Sequence, residues 1–180
     1  MKTEFINTYE MLEKYEPFYP EENIFKEKML ELLIACEDCF LRSCRVGHFT
    51  SSAFLLNKKM THVCLMHHKK FDRWQQLGGH CEGDPDILSV AIKEAQEESG
   101  IRHIKPINKE IFDIDIHFTP PNAKEEAHYH FDIRFLLHAY DDDTLVKNHE
   151  SKELRWIEKD EKDVPQHVLR MFTKWKAMEL

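Results

Sequence analysis

Apolar and polar residues alternate along the chain with two periods, one typical of helices and the other of strands. Between Glu21 and about Phe40 the apolar residues are three or four positions apart, which predicts an amphipathic helix. Two short apolar runs, 52–56 and 62–66, flank the polar residues 57–59. Because a short polar segment between two apolar runs is typical of a tight turn, we predict a β-hairpin here.

A second, longer hairpin is predicted further along the chain. Residues 111–118 and 128–137 alternate between apolar and polar positions, and the Pro-containing loop 119–127 joins them. Alternation with a period of two implies one buried and one polar face. For antiparallel strands, the apolar alternation favours a register in which His117 faces His128, Asp115 faces His130 and Asp113 faces Asp132.

A further helix is predicted between Asp84 and Gly100. Four of the five glycines of the chain fall between Gly78 and Gly100, which marks this stretch as unusual. We expect Asp84 to cap the helix, Pro85 to occupy its first position and Gly100 to end it. The apolar stripe of this helix consists of Ile87, Leu88, Ala91, Ile92 and Ala95. A last helix is expected after Pro165.

Three glutamates give the Asp84–Gly100 helix an unfavourable charge distribution. Glu94, Glu97 and Glu98 are spaced i, i+3 and i+4, so they share one face and repel each other. They also lie near the helix C-terminus, where the macrodipole disfavours negative charge. A bound divalent cation would relieve both penalties, and oxygen ligands favour Mg²⁺ or Mn²⁺.

Composition and charge narrow the class of protein. The 180 residues suffice for one domain with a hydrophobic core, and 33 acidic against 25 basic residues give a net charge of −8. Such an acidic chain is not expected to bind a nucleic acid duplex, although divalent cations would let it act on phosphate compounds. The sequence has no apolar run of membrane-spanning length and no secretory signal pattern, so we expect a cytoplasmic protein with no membrane partner.

The five cysteines are expected to be reduced thiols, because their number is odd and the chain is of medium size. Cys36 and Cys39 form a C-x-x-C pair with Cys44 close behind, a spacing that also occurs in zinc and redox sites. Against such a site, the pair falls inside the first predicted helix and no second C-x-x-C follows. Packing as small buried side chains is therefore the favoured interpretation.

The segment from Gly79 to Ile101 resembles the 23-residue Nudix box. That pattern is a glycine, five residues, Glu, seven residues, then Arg-Glu-apolar-x-Glu-Glu-x-Gly-apolar. The positions that agree in register are Gly79, Glu94, Ala95, Glu97, Glu98, Gly100 and Ile101. Pro85 replaces the first Glu and Lys93 replaces the Arg. In the family these two residues form a salt bridge between loop and helix, and here Asp84 or Asp86 is the candidate partner for Lys93.

The resemblance implies an α/β fold, the Nudix fold, in which a mixed β-sheet is sandwiched between helices (α/β/α). We expect residues 46–180 to form the Nudix hydrolase domain and residues 1–45 to form a helical extension packed on it. The extension is expected either to cover the pocket or to form a homodimer interface, and both alternatives stay open.

The activity that the resemblance implies is Mg²⁺- or Mn²⁺-dependent hydrolysis of a diphosphate (pyrophosphate) linkage in a nucleoside diphosphate joined to another moiety. By the same resemblance the catalytic residues are Glu94, Glu97 and Glu98. Glu97 and Glu98 are metal ligands, Glu94 is a ligand or proton acceptor, and the Gly79 carbonyl is a further ligand. Glu150 is the candidate for an additional metal ligand. The alternatives are a catalytically silent nucleotide-binding module, which the intact glutamates disfavour, and an isoprenyl diphosphate isomerase, whose cysteine and glutamate pair has no counterpart here.

The polar face of the second hairpin adds candidate substrate contacts. Solvated strands favour Thr and Lys, whereas this face carries His-x-His opposite aspartates. We therefore expect His117, His128, His130 and Asp115 to line the substrate pocket or to hold an additional metal, with a solvated polar face as the alternative. His80, beside the first glycine of the box, is expected to contact the phosphates.

Overall fold

A computed structural model describes residues 1–121 and 126–179, so residues 122–125 of the predicted loop 119–127 lie outside the described residues. After a 3-10 turn at Thr3–Phe5, the helices are α1 (Ile6–Lys14), α2 (Glu21–Ala35), α3 (Ile87–Ser99) and α4 (Gln166–Ala177). The strands are β1 (Gly47–Leu56), β2 (His62–His68), β3 (Arg73–Gln75), β4 (Leu77–His80), β5 (Ile104–Pro106), β6 (Asp113–Thr119), β7 (His128–Ala139) and β8 (Ser151–Glu158).

The strands form one sheet of eight strands over the described part of the chain, in the order β3-β2-β1-β7-β5. In addition β4 pairs with β1, β6 pairs with β7 and β8 pairs with β2. The pairs β1–β2, β2–β3, β2–β8, β5–β7 and β6–β7 are antiparallel. No helix within 1–121 or 126–179 is both long and apolar enough to cross a membrane.

The chain divides into two compact units. The first unit consists of Met1–Ser51, Gly79–Val90 and Glu110–Arg134, and the second unit consists of Ser52–Gly78, Ala91–Lys109 and Phe135–Leu180. The first unit therefore contains α1, α2, β6 and the start of the predicted Nudix box. The second unit contains the glutamate-bearing part of α3.

The core of the second unit forms where α4 packs on the end of β1. Phe172 and Trp175 are buried and lie 5.5 and 5.6 Å from the ring of Phe54, both in edge-to-face geometry. The first predicted hairpin is confirmed, since the Asn57 N–H donates to the His62 carbonyl at 2.9 Å and β1 runs antiparallel to β2. Both strands are longer than the apolar runs alone indicated.

The helix predicted from Glu21 to Phe40 is shorter than expected. α2 ends at Ala35, because Cys36 adopts an extended conformation with φ −115° and ψ 121°. Downstream, the Cys39 carbonyl accepts the N–H of Phe49 in β1 at 2.8 Å. Tertiary contact with a strand thus replaces helical hydrogen bonds, and the C-x-x-C pair lies after the helix instead of inside it.

The cysteines near the end of the extension are packed thiols. Cys39 and Cys44 are buried, Cys36 is half-buried, and none of the five cysteines forms a disulfide within the described residues. Burial and the neighbouring Cys44 raise the pKa of Cys39 to about 12. Burial and a hydrogen bond with Cys36 raise the pKa of Cys44 to about 11. Because the reactive form of cysteine is the thiolate, these thiols are poorly suited to redox chemistry at neutral pH.

The helix that carries the glutamates begins later than the sequence predicted. α3 starts at Ile87, and its cap is Asp86: Oδ1 accepts the Ser89 N–H at 3.2 Å and Oδ2 accepts the Ser89 hydroxyl at 2.8 Å. The predicted cap, Asp84, instead accepts the N–H of Asp86 at 2.9 Å. Gly100 ends the helix with φ +74°, as expected for a left-handed stop.

β6 and β7 pair two residues away from the expected register. The facing pairs are Thr119 with His128, His117 with His130, Asp115 with Asp132, and Asp113 with Arg134. The predicted partners were therefore wrong, but an even shift keeps the same side chains on one face. In the observed register the Arg134 guanidinium lies 2.7 Å from Asp113, 3.0 Å from Asp115 and 2.7 Å from Asp132. Arg134 neutralises these three carboxylates, which favours the observed register over the predicted one.

Candidate active site

The most buried carboxylate of the glutamate face is Glu98 on α3. Its side chain is 3% exposed, and its Oε2 accepts the backbone N–H of Gly78 at 2.8 Å. Burial raises the pKa of Glu98 to about 8; the negative charges of Glu94, Glu150 and Glu97 also raise it, while the Gly78 N–H opposes the shift. The three predicted box glutamates and Glu150 therefore influence one another electrostatically.

The remaining box glutamates are more accessible to solvent. Glu94 is half-buried, and Glu97 is exposed with its Oε1 3.8 Å from the Lys93 ammonium. Lys93 thus pairs with the next turn of its own helix, whereas the sequence had suggested Asp84 or Asp86 as its partner. A single exposed lysine leaves the charge of this face strongly negative.

Glu150, the predicted additional ligand, is held beside the end of β2 by a backbone hydrogen bond. Its carbonyl accepts the N–H of Lys69 at 2.9 Å, and its Oε2 lies 4.0 Å from Nε2 of His68. Burial lowers the pKa of His68, and the nearby Glu150 carboxylate acts in the opposite direction. The backbone contact fixes Glu150 where its charge acts on Glu98.

These residues fit a hard divalent cation. A buried carboxyl group whose charged form is disfavoured, next to further carboxylates, would be stabilised by positive charge. The ligand atoms that these glutamates supply are oxygens, which Mg²⁺ and Mn²⁺ prefer. Gly79 follows Gly78 in β4, and the role of its carbonyl as a ligand stays a prediction.

The loop that precedes α3 is attached to the N-terminal extension. Hydrogen bonds make this attachment. The Thr8 hydroxyl donates to the Pro85 carbonyl at 2.9 Å, and the Gly83 N–H donates to the Phe40 carbonyl at 2.8 Å. Nε of Arg42 donates to Oε1 of Glu82 at 2.8 Å. Thr8 is fully buried in α1. Since Pro85 and Lys93 cannot form the salt bridge of the Nudix pattern, the extension supplies a different attachment for the same loop.

Four histidines of the first unit form a second cluster. His48 lies on β1, His80 ends β4, and His128 and His130 lie on β7. One ring nitrogen from each lies within 4.8 Å of the corresponding atoms of the other three. Burial lowers the pKa of His130 to about 2, and the neighbouring histidines act in the same direction. The sequence did not single out His48; His117, which it did, contacts the cluster through the ring of His130 at 5.3 Å.

A glycine brings β1 close to β7 beside this cluster. Gly47 has φ +148°, and a Cβ there would collide with the Tyr129 carbonyl oxygen and come within 2.8 Å of the Phe131 ring. Only glycine permits this approach. As a result the rings of His48 and His128 stack with centroids 4.8 Å apart.

Asp115, predicted to contact substrate, is held by protein groups. Its Oδ2 accepts a hydrogen bond from Arg134 at 3.0 Å and lies 3.4 Å from Nδ1 of His117. Arg134 is buried and also contacts Asp113 and Asp132. The aspartates of this face therefore form a buried ion-pair network that supports the strand pair.

A pocket of about 550 Å³ opens beside the histidine cluster in the first unit. Its lining includes Arg42, Cys44 and Arg45 from the extension, together with Glu126 and His128. The volume is in the range of small-molecule sites. Two guanidinium groups give it a chemistry that suits phosphate.

Comparison with known proteins gives the family. The model of the NUDIX domain matches residues 48–174, and the chain therefore belongs to the NUDIX family of pyrophosphohydrolases. The resemblance inferred from the box is confirmed. No curated protein matches the chain significantly.

Solved structures give the fold. The chain is similar to a C. elegans Ap4A hydrolase in a binary complex, with TM-score 0.55 and 17% identity over 72% of this chain and 95% of that one. It is also similar to a MutT NUDIX hydrolase from Burkholderia pseudomallei (TM-score 0.54, 16% identity, 70% and 95% covered). A third similar structure is a MutT protein from Methanosarcina mazei Go1, with TM-score 0.51 and 16% identity over 72% of this chain and 92% of that one. The predicted α/β Nudix fold is confirmed, with α1 and α2 ahead of the matched domain.

Proposed function

We propose that this protein is a Mg²⁺-dependent hydrolase that cleaves the diphosphate linkage of a nucleoside diphosphate joined to another moiety, with Mn²⁺ as an effective substitute. The observation that carries the proposal is Glu98, a buried carboxyl group under the influence of three more carboxylates. A protein without a cation to bind gains nothing from such mutual repulsion.

The glutamates of α3 have different roles in this proposal. Glu98, oriented by the Gly78 N–H, and Glu97 serve as ligands, and Glu94 serves as a ligand or accepts the proton of the attacking water. Glu150 adds a ligand from the start of β8. When bound, the cation offsets phosphate charge and lowers the pKa of a coordinated water.

Within the first unit, a pocket offers positive charge to an anionic ligand. Arg42 and Arg45 line a pocket large enough for a nucleotide. Phosphate recognition by guanidinium groups would let an acidic protein bind an anionic substrate. Substrate contacts by His80, His117, His128, His130 and Asp115 stay predictions, as do the cytoplasmic location and a homodimer.

The test is the kinetics of phosphate release with Mg²⁺ or Mn²⁺ over a panel of diphosphates. The panel includes oxidised nucleotides, ADP-ribose, dinucleotide polyphosphates and nucleotide sugars. Wild type is compared with Glu98→Gln and with the matched control Glu31→Gln, which removes one exposed carboxylate from α2. We expect Glu98→Gln to lower turnover by about a hundredfold or more, as for loss of a charged ligand.

The control separates a site effect from a charge effect. Glu31→Gln should retain full metal-dependent turnover. If no substrate were hydrolysed while nucleotide bound tightly to both wild type and Glu98→Gln, the protein would be a binding module and the proposal would be overturned.

A further inference from the structure

Besides the substrate contacts predicted for three of them, four histidines of the first unit (His48, His80, His128 and His130) bring their ligand atoms together. His48 and His128 are 1% and 8% exposed, so the cluster is largely shielded from water. Four imidazole nitrogens that converge in one place form a ligand set that first-row transition metals accept. The concentration of four imidazoles in one place therefore points to a shared partner.

The hydrogen bonds of His128 show which of its nitrogens faces the cluster. A carbonyl can only accept, so the contact of 2.7 Å between Nδ1 and the Glu126 carbonyl places a proton on Nδ1. In the neutral ring the lone pair is then on Nε2, which lies 3.0 Å from Nε2 of His130. Metal-binding histidines usually donate their other N–H to a carbonyl or carboxylate in this way.

The separation of the nitrogens matches a small coordination sphere. With Zn–N bonds of about 2.0–2.1 Å, two ligand atoms of a tetrahedral site are about 3.3 Å apart. The Nε2 atoms of His128 and His130 are already at 3.0 Å, and all four ligand atoms lie within 4.8 Å of one another. Small rotations of His48 and His80 would complete the site.

We propose that His48, His80, His128 and His130 together bind one divalent transition-metal ion, with Zn²⁺ favoured by tetrahedral geometry. Imidazole ligands suit Zn²⁺ and its first-row neighbours, whereas Mg²⁺ prefers oxygen. The site uses none of the glutamates of α3. It is argued from ligand geometry alone and does not depend on the proposed hydrolysis.

The role that this ion would have follows from the elements that it joins. Its ligands come from β1, β4 and β7, which are separate in sequence. His80 directly follows Gly79, so coordination of His80 would fix the backbone at the first glycine of the box. The metal would thus act as a cross-link that positions this glycine, and the four histidines are positioning residues.

The test measures metal content and metal affinity of the full chain, purified without metal-affinity chromatography. Zn²⁺ is titrated against a chromophoric chelator, and Co²⁺ is used to record the absorption spectrum, which distinguishes tetrahedral coordination. Wild type is compared with His130→Ala, with His48→Gln and with the control His103→Ala, whose ring is exposed near Asp141. We expect one tightly bound equivalent in wild type and in the control, and at least a hundredfold weaker binding in the other two variants.

Two further measurements keep the result decisive. If His130→Ala fails to fold, the Zn²⁺-dependent rise in the melting temperature of wild type, absent in folded His48→Gln, tests the same claim. Glu98→Gln should still bind Zn²⁺, because its carboxylate is not a ligand of this site. The proposal is overturned if wild type binds no Zn²⁺ or Co²⁺, or if binding survives in His130→Ala and His48→Gln. It is also overturned if these two variants raise the KM for a nucleotide while metal binding stays unchanged.

Discussion

The two polar clusters of this protein differ in how the chain balances their charge. In the second unit, the carboxylates around Glu98 repel one another. Among the described ion pairs, Lys93 contacts Glu97, and His68 and His149 lie within 4.0 Å of Glu150. In the first unit, Arg134 neutralises the aspartates of the β6–β7 face. The first arrangement supports the proposed hard cation, whereas the histidine cluster of the first unit brings together imidazole nitrogens, which suit the softer ion proposed there.

The difference shows how a buried carboxylate that supports the fold can be distinguished from one that marks a cation site. Asp113 and Asp132 are buried, yet each contacts Arg134 at 2.7 Å, so the protein itself completes their environment. Glu98 is just as buried and accepts only a backbone N–H among the described contacts. A buried carboxylate that the fold leaves without a cationic side chain is the better marker of a cation site.

Replacement of the central cation of the first unit should have the largest effect. Arg134→Met leaves Asp113 and Asp132 buried without their ion pair, so we expect the free energy of unfolding to fall by about 3–5 kcal/mol. Urea denaturation measures this loss. Arg155→Met, which removes an exposed pair with Glu153, is the control and should cost less than about 1 kcal/mol. Equal losses in both variants would contradict the distinction between the two clusters.

The second prediction concerns pH and the carboxylate that lacks a cation. The pKa of Glu98 rises from an ordinary 4.5 to about 8 in the folded state, so the native protein holds this proton more tightly than the unfolded chain. The stabilisation from this group is therefore full below pH 4.5 and is lost as pH rises through about 8. In chelator, we expect the unfolding free energy to fall by about 3 kcal/mol between about pH 5 and 7.5, because each pKa unit is worth about 1.4 kcal/mol.

Two comparisons check that Glu98 is the source of the pH dependence. Glu98→Gln should flatten the slope between pH 5 and 8, whereas Glu31→Gln should leave it as in wild type. Excess Mg²⁺ should reduce the slope in wild type at the alkaline end. A slope that persists unchanged in Glu98→Gln would assign the effect to another group.

A smaller effect is expected where the extension attaches to the box. Thr8→Val removes the hydroxyl that donates to the Pro85 carbonyl, and we expect a loss of about 1 kcal/mol in unfolding free energy. Turnover should fall by a few fold, because the loop before α3 loses one anchor. In a Pro85→Glu/Lys93→Arg background, which restores the family's salt bridge, Thr8→Val should leave turnover unchanged. A persistent loss there would show that the salt bridge does not replace the Thr8 contact.

The smallest effect is expected for the one lysine that faces the glutamates. Lys93→Met removes an exposed i, i+4 pair with Glu97, so chemical denaturation should detect a change of only about 0.3–0.5 kcal/mol. A loss above about 1 kcal/mol would mean that the lysine neutralises the buried carboxylate as well, and the contrast between the clusters would be weaker than described.

The sequence predicted those parts of the site that depend on local spacing. Glu94, Glu97 and Glu98 share a helix, so their common face follows from the helical period alone. Gly100 ends the helix as expected, since a left-handed residue there needs no tertiary information. The cap was misplaced by two residues, because both Asp84 and Asp86 can accept a backbone N–H and only the fold decides between them.

The histidine cluster depended on tertiary information and was predicted only in part. The alternation of apolar and polar residues shows which side chains share a face of a strand, but not how far one strand is shifted along its neighbour. The polar face of β6 and β7 was therefore predicted correctly, whereas the facing pairs were wrong. His48 was missed because the first strand was predicted from Ser52, whereas β1 begins at Gly47. Counting the alternation back from Ser52 would have placed His48 on the same side of the strand. The unused signal for the register was Arg134, a single cation on β7 that can pair with Asp113 and Asp115 of the opposite strand and with Asp132 of its own strand.

The attachment of the extension to the box has a consequence for how the sequence can change over time. Because Thr8 and Arg42 hold the loop at Pro85 and Glu82, we expect the loop to need no matched acid and base at positions 85 and 93. We expect changes at these two positions to be tolerated only while the extension is kept. A homologue without these N-terminal helices would need the acid and base at positions 85 and 93. We therefore expect each homologue to have either the helices or the acid–base pair.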